Sequence, residues 1–94
     1  MYASIRRYKS YAAPEVLAKV RESFVPLISD AEGFVAYHLI QMEGTFLSIT
    51  IFETEQAAEE SNAMAQNWIK ENIPSLIDGE LEFNSGELVV SKTI

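Results

Sequence analysis

Two strand-like segments, "GFVAYHLIQM" and "TFLSITIFE", are joined by Glu43-Gly44, and neither carries a charge on either face between Phe34 and Met42 or between Thr45 and Phe52. The two-residue connection reads as a hairpin turn, with Gly44 supplying a positive φ. That turn places Ile40 opposite Leu47, His38 opposite Ile49 and Ala36 opposite Ile51. One face of the hairpin then carries Phe34, Ala36, His38, Ile40, Met42, Leu47, Ile49 and Ile51. The other carries Val35, Tyr37, Leu39, Gln41, Phe46, Ser48, Thr50 and Phe52. A sheet wetted on one side shows more polar alternation than this. Each face therefore needs a cover.

The flanking segments supply part of that cover. Residues 2–9, "YASIRRYK", read as a strand that ends at Ser10 and Pro14. Pro14 suits the first turn of a helix, where its missing N–H costs nothing. Val16, Leu17, Val20, Phe24, Leu27 and Ile28 follow at spacings of one, three and four, which is one face of an amphipathic helix. Pro26 falls inside that pattern and is expected to kink the helix or end its regular part near Val25. Past the hairpin, Thr54 is an expected N-cap, and Glu55 lies where the helix dipole favours an anion. The second helix is expected to run to about Asn72, ahead of Pro74. Its inward seam is Ala57, Ala58, Ser61, Ala65, Trp68 and Ile69. The stretch 73–86 reads as a loop with a short extended piece at 80–83, and "ELVVSKT", residues 87–93, as the last strand.

The order is βαββαβ. Two right-handed β-α-β crossovers of this kind give a four-stranded antiparallel sheet with both helices on one face, the α+β ferredoxin-like split fold. A chain of 94 residues is one domain, residues 1–94. Since two helices cover only one face of the hairpin, the expectation is that they cover the aliphatic one, with Ala36, Ile40, Leu47, Ile49 and Ile51. Val35, Tyr37, Leu39, Phe46 and Phe52 would then lie open, a patch larger than monomers usually expose. A homodimer follows.

Several functions are excluded on composition. Fourteen acidic residues against seven basic give a formal net charge of −7, which repels phosphate backbones and argues against nucleic-acid binding. There is no Cys, hence no disulfide and no thiolate chemistry. One His and no carboxylates in ligand spacing argue against a metal site. The four glycines are isolated turn residues, so no phosphate loop exists. "MYASIRRYKS" lacks the apolar run of a signal peptide, and no segment reaches the roughly 20 apolar residues of a membrane span. A soluble, cytoplasmic protein without membrane attachment is the expectation.

Four features stand out against that background. His38 lies mid-strand on an otherwise aliphatic face: either a core or rim histidine, or a pocket acid or base. Arg6 and Arg7 are successive and point to opposite faces of a strand that is central in this fold. One of them is therefore buried against a carboxylate, or reaches a rim or cavity. Tyr37 and Tyr8 are either sheet-surface packing or hydrogen-bond donors. In the second helix, "SNAMAQNW" sets small residues beside one large aromatic. Either the helix packs closely on the sheet with Trp68 filling the end, or the small residues leave a cleft with Trp68 as wall and Asn62 as polar handle.

With "GFVAYHLI" after the first helix, "SITIFET" leading into the second and "AAEESNAMAQNWIKENIP" across it, the chain resembles the antibiotic biosynthesis monooxygenase-like domains of the dimeric α+β barrel superfamily. The likeness runs from "IRRYK" to "GELVVS". It implies homodimers whose sheets face each other, with a helix–sheet cleft in each subunit. It also implies cofactor-independent oxygenation of polycyclic aromatic substrates, or haem degradation. Trp68 falls where the family often keeps an aromatic cleft residue, and Asn62 is its polar counterpart. The haem-degrading members carry a His on the second helix and an Asn on the first strand. Here that helix has no His and the strand offers Arg6 and Arg7, which argues against haem. The expected function is therefore a cofactor-free monooxygenase acting on a small apolar or aromatic substrate, with His38 and Arg6 as catalytic candidates and Trp68, Asn62, Tyr37 and Arg7 as substrate contacts. The alternative is a non-enzymatic, dimeric small-molecule-binding or stress-related module.

Overall fold

The computed structural model describes all residues, Met1–Ile94. Its strands are β1 (Tyr2–Lys9), β2 (Phe34–Met42), β3 (Thr45–Phe52) and β4 (Asp78–Glu87), in the sheet order β2-β3-β1-β4, with every neighbouring pair antiparallel. The helical elements all cover one face, so the ferredoxin-like α+β arrangement holds. The β2–β3 register places Ile40 opposite Leu47, His38 opposite Ile49 and Ala36 opposite Ile51, as the two-residue turn requires. Gly44 supplies the positive φ of that turn, 67°.

The first helical run consists of α1 (Ala13–Lys19), a π-helical turn (Val20–Phe24) and α2 (Val25–Ser29). Pro26 explains the break. It has no N–H to donate to the Glu22 carbonyl and its ring crowds that carbonyl. The widened π turn just upstream relieves the crowding without ending the helix. A π turn inserts a residue into the helical repeat, so the apolar stripe rotates. Val16, Val20, Phe24 and Ile28 are buried as the spacing predicts, but Leu27 is turned outward and Val25 packs inward in its place.

The second helix, α3 (Glu55–Asn72), starts at the Thr54 cap, whose side chain accepts from the Ala57 N–H at 3.1 Å. Its seam is as expected: Ala58, Ser61, Ala65, Trp68 and Ile69 are buried.

Three expectations are corrected. The last strand is not 87–93 but Asp78–Glu87. It pairs with β1 from Tyr2 opposite Glu87, and the Leu88 N–H donates to the Met1 carbonyl at 2.8 Å. Its start reaches back to Asp78 through a register shift against β1 between Arg7 and Lys9.

The second correction concerns the faces of the hairpin. The helices cover Tyr37, Leu39, Phe46, Ser48, Thr50 and Phe52, while Ala36, Ile40, Leu47, Ile49 and Ile51 lie on the open face. The reason is size. A seam of Ala58, Ser61 and Ala65 brings α3 close to the sheet, and the space between is filled from below by Phe46, Phe52 and Tyr8. Phe34 also changes sides. A bulge between Phe34 and Ala36 turns its ring onto Phe52, with centroids 6.2 Å apart.

The third correction is that the buried arginine, Arg6, has no carboxylate partner.

Candidate functional site

β1 alternates Ser4, Arg6 and Tyr8 toward the helices, and β3 sets Thr50, Ser48 and Phe46 beside them in register. Arg6 is only 2% exposed and ends among neutral oxygens. Its Nη1 donates to Ser4 Oγ and to Asn62 Oδ1, each at 3.2 Å. Its Nη2 donates to Ser48 Oγ at 3.0 Å and to Thr50 Oγ1 at 2.6 Å. Cζ lies 5.5 Å from the centroid of the Phe24 ring. Asn62 completes the link to the edge strand by donating from Nδ2 to the Asn84 carbonyl at 3.2 Å. Ser61 Oγ hydrogen-bonds Ser4 Oγ at 2.9 Å. Each terminal nitrogen of the guanidinium thus makes two hydrogen bonds, all to neutral oxygens, while its charge is not neutralised.

Beside it, Tyr8, Phe24, Tyr37, Ser48, Ala65 and Trp68 line a narrow recess between the first helical run and the sheet. Its free space is about 10 Å³, room for about one water molecule. Trp68 is 5% exposed, packs at 5.1 Å on Phe24, and donates its indole N–H to Ser23 Oγ at 2.9 Å. Trp68 is therefore both core and recess wall. A larger hollow of about 300 Å³ lies elsewhere, open to solvent and lined by Glu32, Glu53 and Glu60.

Burial pulls the Arg6 guanidinium below its ordinary pKa, with Tyr37 and Tyr8 opposing the fall. Burial pushes both phenols up. For Tyr8 the neighbouring Tyr37 adds to the rise and Arg6 opposes it. For Tyr37 a hydrogen bond from Ser48 and the charge of Arg6 oppose it. Both tyrosines therefore stay protonated and serve as donors rather than bases. A phenol whose pKa is raised on folding contributes stability that is complete below the unfolded value of about 10 and is lost as pH rises through the folded one. Urea midpoints should accordingly hold up to about pH 10 and fall above it. Tyr8→Phe and Tyr37→Phe should each flatten that fall, which midpoints taken through the alkaline range would check.

Of the residues singled out from the sequence, the fold brings Tyr37 and Trp68 to the recess and joins Arg6 with Asn62 in the polar cluster beside it. It does not bring His38 or Arg7 to them. Both are exposed and sit on the far side of the sheet, His38 opposite Ile49 and Arg7 between Leu47 and Glu82. Sequence reasoning missed Ser4, Ser48 and Thr50. Their signal was the row of hydroxyl residues sharing a face with the phenylalanines of β3, in register with an arginine.

Neither a protein-family model nor a curated protein sequence matches the chain. Solved structures match its fold over nearly the full length. A protein of unknown function from Nitrosomonas europaea superimposes with a TM-score of 0.76 at 21% identity, covering 99% of this chain and 93% of that one. SnoaB, a cofactor-independent oxygenase from Streptomyces nogalater, gives a TM-score of 0.73 at 14% identity, covering 96% and 94%. A monooxygenase from the ActVA-Orf6 gene of Streptomyces coelicolor, in complex with nanaomycin D, gives 0.71 at 13% identity, covering 99% and 91%. The chain thus has the fold of the antibiotic biosynthesis monooxygenase proteins.

Proposed function

We propose that this protein is a homodimeric, cofactor-independent monooxygenase that acts on a small, flat aromatic molecule held between its first helical run and its sheet. The observation that carries this reading is a recess walled by Trp68 and Tyr37 whose Ser48 accepts from Arg6, with Asn62 on the far side of that guanidinium. Similarity of fold to SnoaB and to the nanaomycin D complex supports it. In such chemistry the electrons for dioxygen come from the substrate's own electron-rich ring. The protein's part is to orient that ring, exclude water and hold the oxygen that becomes negative. Trp68 and Phe24 supply flat apolar walls. Tyr37 supplies a hydrogen-bond donor, and Arg6 a positive charge behind Ser48.

Entry requires movement, because one water's space does not admit a ring. The π turn at Val20–Phe24 carries two residues of the recess wall, and turns of this kind are common at functional sites. His38 belongs to the open face in this reading, so His38→Ala should leave ligand binding unchanged. The deciding experiment is dioxygen consumption with electron-rich polycyclic phenols. Uptake that requires native protein and is lost in Tyr37→Phe supports oxygenation. Binding without uptake favours the second reading, a dimeric binding module. One observation speaks for that second reading: no side chain lining the recess is a base at neutral pH.

The protein should purify without stoichiometric transition metal, since no group of three metal-ligating side chains exists. Added haem should show no Soret shift that depends on His38. Elemental analysis showing one metal per chain would overturn the reading.

A further inference from the structure

Arg6 is the one charged side chain among the buried residues. The chain has fourteen carboxylates and places none of them against it; its partners are three hydroxyls and an amide oxygen. Neutral acceptors satisfy the fork of N–H groups but leave a full positive charge in a poorly solvated interior. An uncompensated buried charge of that kind is costly. The other polar groups on the recess side are hydroxyls of Ser48, Tyr37 and Tyr8. A hydroxyl can rotate to donate as readily as to accept. An incoming negative oxygen would meet a cation and three donors, and no repelling carboxylate.

We propose that Arg6 is the receptor for a negatively charged ligand oxygen, so that the site takes a flat aromatic monoanion, a ring bearing a carboxylate or an ionised hydroxyl, in preference to a neutral molecule of the same shape. The proposal rests on the cleft reading above and adds the charge state of the ligand. The guanidinium acts on such an oxygen through its charge and through Ser48, whose hydroxyl accepts from Nη2 and can donate onward to the anion. The route is short. Ser48 both lines the recess and accepts from Nη2, so the guanidinium lies one hydroxyl behind the recess wall. Phe24 closes the remaining side, its ring over Cζ at 5.5 Å. A ligand ring that displaces Phe24 keeps the cation–π contact and adds the anion. The absence of a base in the recess then ceases to be an obstacle, because the ligand arrives ionised or ionises under the field of Arg6.

The test titrates the intact protein, near neutral pH and at low salt, with 2-naphthoate and with the neutral 2-naphthamide. Wild type should bind naphthoate more tightly by about tenfold or more, the scale of one charge-assisted hydrogen bond. Arg6→Met should bring the ratio to about one, and Arg6→Lys should keep part of the preference. An equal ratio in wild type, or an unchanged ratio in Arg6→Met, overturns the proposal. Should Arg6→Met fail to fold, 2-naphthol titrated on the wild-type protein decides. Its ionisation should fall by about one pH unit or more on binding, equivalent to the same tenfold preference. No downward shift overturns the proposal. Should naphthamide bind as well as naphthoate, the cleft reading survives and this one fails. Should neither bind, both fail.

Discussion

Ile49→Asp should halve the mass of the protein in solution and leave the subunit folded, whereas Phe46→Asp should abolish folding altogether. The two positions lie three residues apart on β3 and point to opposite faces. Ile49 belongs to the open face, with Ile5, Ala36, Ile40, Met42, Leu47 and Ile51 around it, broken by Arg7 and His38. Ile40 and Met42 are more than two-fifths exposed in the single chain. A patch of that make-up is larger than monomers usually leave bare. In the proposed homodimer a second copy of the same face would cover it in a self-complementary two-fold contact. The buried area should reach the obligate class, on the order of 2,000 Å². An aspartate at 49 would put a carboxylate from each chain into that contact, but stays solvated in a lone subunit. Light scattering should report one chain mass for the variant and two for wild type, with unchanged far-ultraviolet dichroism. Phe46 differs in kind. It is 1% exposed and stacks on Tyr8 at 5.5 Å. Aspartate there loses about 3–5 kcal/mol of packing and buries an unpaired carboxylate at several more. That sum matches or exceeds the whole stability of a small domain, about 5–15 kcal/mol. A wild-type monomer at high concentration would refute the dimer. A folded Phe46→Asp dimer would refute the assignment of faces.

The contrast also shows what the sequence made legible. The first three strands, the Glu43-Gly44 turn, the Thr54 cap and the seam of α3 are local matters, decided by alternation, helical spacing and capping chemistry, and each came out where the residues put it. The side of the hairpin that meets the helices is a global matter. Counting aliphatic residues favours Ile40, Leu47, Ile49 and Ile51, and that count misleads. The decisive term is volume matching: a helix seam of alanines and a serine needs aromatic side chains beneath it, which on β3 are Phe46 and Phe52. The same neglect hid the site. One of Arg6 and Arg7 was expected to find a carboxylate, or to reach a rim or cavity, because buried charges generally need a partner. The hydroxyls of Ser4, Ser48 and Thr50 take that place, and they become visible as a set only once the register of β1 with β3 is fixed. Leu27 was lost for a different reason. The π turn ahead of Pro26 shifts the helical phase, and an even spacing of apolar residues carries no mark of an inserted one.

Trp68→Ala should cost about 3–5 kcal/mol of stability, the range of large-to-small changes in a core. A mere cleft wall would lose much less on truncation, because its outer side already meets solvent or ligand. Little of Trp68 is open in that way, although its ring borders the recess. It is 5% exposed, its ring packs at 5.1 Å on Phe24, and its N–H is tied to Ser23 at 2.9 Å. It is the large side chain that fastens α3 to the first helical run. Trp68→Phe should separate the two contributions. It keeps most of the packing and forfeits the hydrogen bond, which stands at a half-open site, so a loss of about 1 kcal/mol is expected. Urea midpoints at one fixed protein concentration would measure both variants, since dimer formation makes stability depend on concentration. For a domain of this size the alanine variant should also melt lower by tens of degrees. The cavity it leaves adjoins the recess and is apolar, with Phe24, Ala65 and Ile69 on its rim. Such a cavity stays dry and accepts flat apolar molecules. Trp68→Ala should therefore bind neutral 2-naphthamide no more weakly than wild type while losing stability. A stability loss well under the core range, with ligand binding destroyed, would instead make Trp68 a wall that the fold does not need.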